Sequence, residues 1–148
     1  MKKLVVAVLC ILGFSQCHNK MYSLENLPKQ FIEIGSFGGF AGEAKTYYFF
    51  PNGQRFLNSG VMATDMSKST NEIEKLEPKA FKTMLKSLKE MDFCNMDLNE
   101  TGNMNYFIKL KSKKEENKVQ WTNMDTAPEA LVSFYKNTLK NINTAAIN

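Results

Sequence analysis

Thr46-Tyr47-Tyr48-Phe49-Phe50-Pro51-Asn52-Gly53-Gln54-Arg55-Phe56-Leu57 reads as two strand-forming runs joined by a tight turn. Pro51 at the second turn position fixes φ near −65°, and Gly53 after Asn52 relieves the exit, so the pattern predicts a β-hairpin. Four consecutive aromatic residues put two rings on each face of a sheet. One pair must then be covered or stay partly exposed.

Upstream, Phe31-Ile32-Glu33-Ile34 predicts a short strand with Ile32 and Ile34 on one face. It leads into Gly35-Ser36-Phe37-Gly38-Gly39-Phe40-Ala41-Gly42, which holds half of the chain's eight glycines. This stretch is expected to be a loop, because glycine takes φ > 0 without a Cβ clash. Such a loop can hold Phe37 and Phe40 at set angles, and its natural use is contact. The expected contact surface comprises Phe37, Gly38, Gly39, Phe40, Ala41 and Gly42 with the neighbouring Tyr47 and Tyr48. The opposing expectation is that both rings are internal and the glycines allow close packing.

Downstream, residues 58–69 look loop-like, and Thr70 to Leu76 reads as an edge strand because its Lys and Glu side chains suit an exposed edge. Pro78 opens a helix at a position where it costs no intrahelical hydrogen bond. Phe81, Met84, Leu85, Leu88 and Met91 form its apolar stripe, and Lys79, Lys82, Lys86 and Lys89 its solvated face. Asp97 to Gly102 resembles the opening of a calcium loop, but Ile108 stands where a bidentate Glu is needed, so a turn is expected. Met104, Tyr106, Ile108 and Leu110 alternate with Asn105, Phe107, Lys109 and Lys111. Val119 and Trp121 continue the alternation on a returning strand, so a second hairpin with one apolar and one wet face is expected. A Thr126/Glu129 capping box, with Asp125 and Pro128, announces a last helix, and residues 141–148 are expected to fray. The sum is an α+β domain: an antiparallel sheet of about five to six strands in two hairpins, with two helices packed on one face.

The chain's address is written at its start. Lys2 and Lys3 precede an apolar run from Leu4 to Phe14, too short to span a bilayer and suited to a secretory signal. Phe14-Ser15-Gln16-Cys17 resembles a lipobox, so residues 1–16 are expected to be removed and Cys17 to be acylated. Residues 17–29 would then be lipidated cysteine and tether, residues 30–142 one domain, and residues 143–148 a loose tail. The expected location is the bacterial cell envelope, at the outer membrane, with the lipid bilayer as a partner. Without residues 1–16 the Lys plus Arg count falls from 19 to 17 against 15 acids, a net charge of +2, so basicity gives no argument for nucleic acid. Cys94 is left alone and is expected to be a small core residue.

Catalysis needs an acid/base pair, an activated nucleophile or a metal. The sole histidine, His18, sits in the tether, no carboxylates are paired by spacing, and the glycines do not fit a phosphate-binding pattern. No catalytic residue, metal or cofactor is therefore expected.

Gly38-Gly39-Phe40-Ala41-Gly42, the Leu- and Lys-rich helix ending Met91-Asp92-Phe93, the Tyr106-Phe107 strand and the Thr126-Ala127-Pro128 helix start resemble the emfourins. These are small inhibitors of thermolysin-like metalloproteases. The likeness spans residues 30–142, with Phe37 where emfourins have Ser. The chain is also similar to a group of small bacterial lipoproteins with the same glycine stretch and a Gly102-Asn103-Met104 strand start. The resemblance implies a thermolysin-like protease as partner, the contact-loop reading an envelope protein, and a purely structural envelope lipoprotein is the remaining expectation.

Overall fold

A computed structural model describes residues 20–61 and 69–145. The expected signal sequence, Cys17 with His18, and the last three residues of the expected tail lie outside the described residues. Its elements in chain order are β1 (Phe31–Gly38), β2 (Glu43–Phe49), β3 (Arg55–Val61), β4 (Ser69–Ile73), α1 (Pro78–Glu90), a 3₁₀ turn (Phe93–Asn95), β5 (Met104–Lys111), β6 (Glu116–Trp121) and α2 (Glu129–Ala145). The strands form one six-stranded sheet in the order β4-β3-β2-β1-β5-β6. Every strand pair is antiparallel, which gives an α+β chain with β1 inside the sheet.

The glycine stretch is mostly strand, not loop. β1 runs on through Gly38, paired with Glu43 on β2 and Met104 on β5. Glycine weakens a strand on its own, but two neighbours here occupy the space a side chain would take. A Cβ on Gly35 would stand 2.8 Å from the Phe107 ring, and one on Gly38 would fall on the Asn103 carbonyl oxygen. Close approach, invisible along one strand, keeps the ladder intact.

At the Pro51 turn the Gly53 N–H donates to the Phe50 carbonyl at 3.0 Å, closing the hairpin between β2 and β3. β3 continues to Val61, opposite Glu43, so residues 58–60 are strand where a loop is expected, and Val61, which could extend a strand, does so. Their partner is the long β2, which supplies a ladder that local propensity does not reveal. β4 lies at the sheet edge with Glu72 exposed.

Alternation along β1 sends Ile32 and Ile34 to one face and Phe31, Glu33 and Phe37 to the other. Ile32, Ile34, Phe49, Ile108, Val119 and Trp121 are buried in one cluster with Phe81 and Leu88 of α1 and Leu131, Tyr135 and Ile142 of α2. Each such side chain contributes about 1.5–3 kcal/mol on burial. Met84, Leu85 and Met91 pack against the same cluster, completing the α1 stripe. Trp121 meets Tyr135 edge-on, with ring centroids 5.4 Å apart.

On the opposite face Phe31, Phe50 and Phe56 form a second cluster, against which Tyr22, Leu24 and Tyr48 pack. From Lys20 onward, the segment expected to be a free tether is therefore docked. The Tyr22 N–H donates to Gln54 Oε1 at 2.8 Å, and Asn52 Nδ2 donates to the Lys20 carbonyl at 2.7 Å. Two rings of the aromatic run needed cover, and the chain's own approach to β1 supplies it.

α2 begins at Glu129, so Thr126 stands outside the helix and not at its cap. Asn123 builds the turn into α2 instead, its Oδ1 accepting the Asp125 N–H at 2.8 Å. The helix runs to Ala145, beyond the point where fraying is expected.

Candidate functional site

The β1–β2 connection is a four-residue loop, residues 39–42, closed by one hydrogen bond of its own and tied by another to the segment before β5. The Gly42 N–H donates to the Gly39 carbonyl at 3.0 Å, and the Gly39 N–H donates to the Asn103 carbonyl at 2.7 Å. Asn105, buried beneath, donates from Nδ2 to the Gly102 carbonyl at 2.8 Å and accepts the Gly102 N–H at 2.9 Å. The segment before β5 is thereby held against the hairpin. Phe40 sits at the tip with 109% of its reference area exposed, and Ala41 beside it is exposed as well.

Phe37 is half-buried on the Glu33 face of the sheet. Its ring lies 6.2 Å from that of Phe107, and Lys118 Nζ stands 4.9 Å from the Phe107 centroid and 5.8 Å from that of Phe37. An ammonium over a ring face is attracted by the ring quadrupole. The result is a small aromatic patch with a cation on it, the Phe107 ring buried and Phe37 half-exposed at its hairpin end. Phe107 falls among the polar residues of its alternation, and that exception was the available signal for this surface. Its neighbours Phe37 and Lys118 depend on strand register, which no single segment encodes.

The expected contact residues do not all come together. Tyr47 pairs with Ile34 and packs against the main core, on the face opposite Phe37. Tyr48 lies on the Phe37 face, but against the Phe31, Phe50 and Phe56 cluster at the far end of β1. The remaining residues, Phe37 to Gly42, are contiguous at the tip.

Next along the same face, Glu33 lies opposite Tyr48 and Lys109. Burial pushes its carboxyl above the usual range against the opposing pull of Lys109 and Lys118. Burial likewise raises Tyr48, with the Glu33 charge adding to it. Lys109 and Lys111 share Glu116 at 3.0 and 3.3 Å, and their hydrogen bonds hold the Glu116 carboxyl below its ordinary value.

Among the described residues, no group of three or more His, Cys, Asp or Glu side chains is placed to hold a metal ion. In the stretch like a calcium loop, Leu98 and Glu100 instead pair with Gln120, covering part of the β6 edge. Cys94 is half-buried against the core, and burial pushes its thiol up, away from the reactive thiolate. A cavity of about 380 Å³ lies between α1 and α2, lined by Phe49, Met84, Ile142 and the buried Arg55, whose Nε donates to the Glu74 carbonyl. No helix among the described residues is long and apolar enough to cross a membrane. Compared with models of known protein families and with curated proteins, the chain matches none.

Proposed function

We propose that this chain is a non-catalytic binding module, held at the cell envelope by an acyl group on Cys17, with the glycine hairpin as its contact element. In this reading both helices lie over the Ile32–Ile34 face, leaving the Phe37 end of the other face and the hairpin tip to meet a partner. The observation that carries it is Phe40, fully exposed on a loop closed by the Gly42–Gly39 hydrogen bond and tied to Asn103 through Gly39. A large apolar side chain on a rigid, exposed turn loses little entropy on binding, and aromatic anchors of this kind carry much of an interface's energy. Chemical cross-linking of cells expressing the chain and its Phe40→Ala variant at equal levels tests this. A discrete adduct that disappears in the variant supports the reading, and an unchanged adduct pattern rejects it.

A second reading, inhibition of a thermolysin-like metalloprotease, is favoured by the same projecting tip, which has the form needed to enter a cleft. Micromolar chain left without effect on the turnover of several such enzymes rejects it.

A further inference from the structure

The hairpin tip and the chain's point of approach lie at opposite ends of the sheet. β1 starts at Phe31, beside the Pro51 turn and the turn between β5 and β6, and ends at Gly38 beside Phe40. Eight strand residues span about 25 Å. Lys20 is fixed at the Phe31 end by Asn52, and Lys75 Nζ lies 4.0 Å from Met21 Sδ. Three residue steps lead from Lys20 back to position 17, a reach of at most about 10 Å.

Three large apolar side chains are exposed among the described residues: Phe40, and at the Phe31 end Met21 (59%) and Leu27 (39%). Lys20 and Lys29, next to Met21 and two residues beyond Leu27 in the chain, are exposed, as are Lys75, whose Nζ meets Met21, and Lys113 and Lys114 in the turn between β5 and β6 at the same end of the sheet. Glu25, Glu74 and Glu115 share the same end, so its net charge is small and bulk attraction to an anionic surface is modest. Apolar side chains flanked by long lysines suit the boundary of a bilayer, where the stems lie along the surface and the ammonium groups reach the headgroups.

We infer that the Phe31 end of the domain rests against a phospholipid surface, with Met21 and Leu27 in the headgroup–acyl boundary and Phe40 directed away from it. This rests on the anchoring reading, because a docked segment and so short a reach leave the domain no room to stand off. The bilayer thus orients the contact element as well as retaining the chain.

Tryptophan emission tests the orientation. Met21→Trp, Leu27→Trp and Phe40→Trp chains, purified from membranes as the full processed protein, are bound to phosphatidylethanolamine–phosphatidylglycerol vesicles with brominated acyl chains. The chain's one native tryptophan, Trp121, is buried and serves as the common background. Loss of the added emission at positions 21 and 27, with emission at 40 retained, is the expected result. If the acylated chain floats with vesicles but positions 21 and 27 keep their emission, or position 40 loses it, the inference fails and the anchoring reading survives. If mass spectrometry finds no acyl group on Cys17 and the chain stays off the vesicles, both fail together.

Discussion

The phenol of Tyr135 donates a hydrogen bond to the Gly35 carbonyl at 3.3 Å, so α2 holds the backbone of β1 just before the strand reaches the hairpin. Burial raises this phenol to about 12 from its ordinary 10. Its neutral form is favoured in the folded chain, so its stabilising effect is full below about pH 10 and is lost as pH rises toward 12. Tyr135→Phe is expected to cost about 1 kcal/mol at neutral pH and to flatten this alkaline loss. Urea unfolding from about pH 8 to about pH 12 brackets the titration and reads both effects. An unchanged alkaline slope in the variant contradicts the assignment.

Gly38→Ala introduces a Cβ at φ 114° and against the Asn103 carbonyl. The expected loss is about 2–4 kcal/mol, measured by denaturant midpoint. A near-neutral result means that Asn103 and β5 are free to withdraw.

Glu33→Gln is expected to stabilise the fold slightly at neutral pH, by about a few tenths of a kcal/mol, since the site is partly solvated and Lys109 and Lys118 are close. The folded-state pKa is raised, so the wild type gains stability as pH falls through the carboxylate range, and the variant's advantage should vanish there. Paired thermal melts at neutral and acidic pH resolve the crossover.

Tyr22→Ala removes the ring that meets Phe50 edge-on at a centroid distance of 5.7 Å. A loss of about 1–2 kcal/mol is expected, together with faster amide exchange around Phe50. If stability does not change, the segment from Lys20 is a free tether after all.

The signals written within one segment were the legible part of this fold. The Pro51-Asn52-Gly53 turn, the alternation from Met104 to Leu110 and the Phe81–Leu88 stripe each state their own period, and each forms the element it implies. Gly35 to Gly38 misled because glycine is informative only about what fills the space it leaves. Here that is Phe107 and Asn103, some seventy residues away by sequence. Tyr22 misled for the complementary reason: a polar, aperiodic segment gives no sign of docking until the cluster of Phe31, Phe50 and Phe56 exists. At the candidate site the exposed Phe40 was within reach of sequence reasoning, whereas the Phe37, Phe107 and Lys118 stack required the register of three strands.

The central claim is that Phe40 serves contact and not folding. A photoreactive benzoylphenylalanine at position 40, activated in living cells, tests it most directly, with the same residue at Lys86 on the exposed face of α1 as control. The account predicts a fold as stable as wild type to within about 0.5 kcal/mol and a discrete cross-linked product from position 40 that is absent from position 86. No product from position 40, or the same products from both positions, would contradict it.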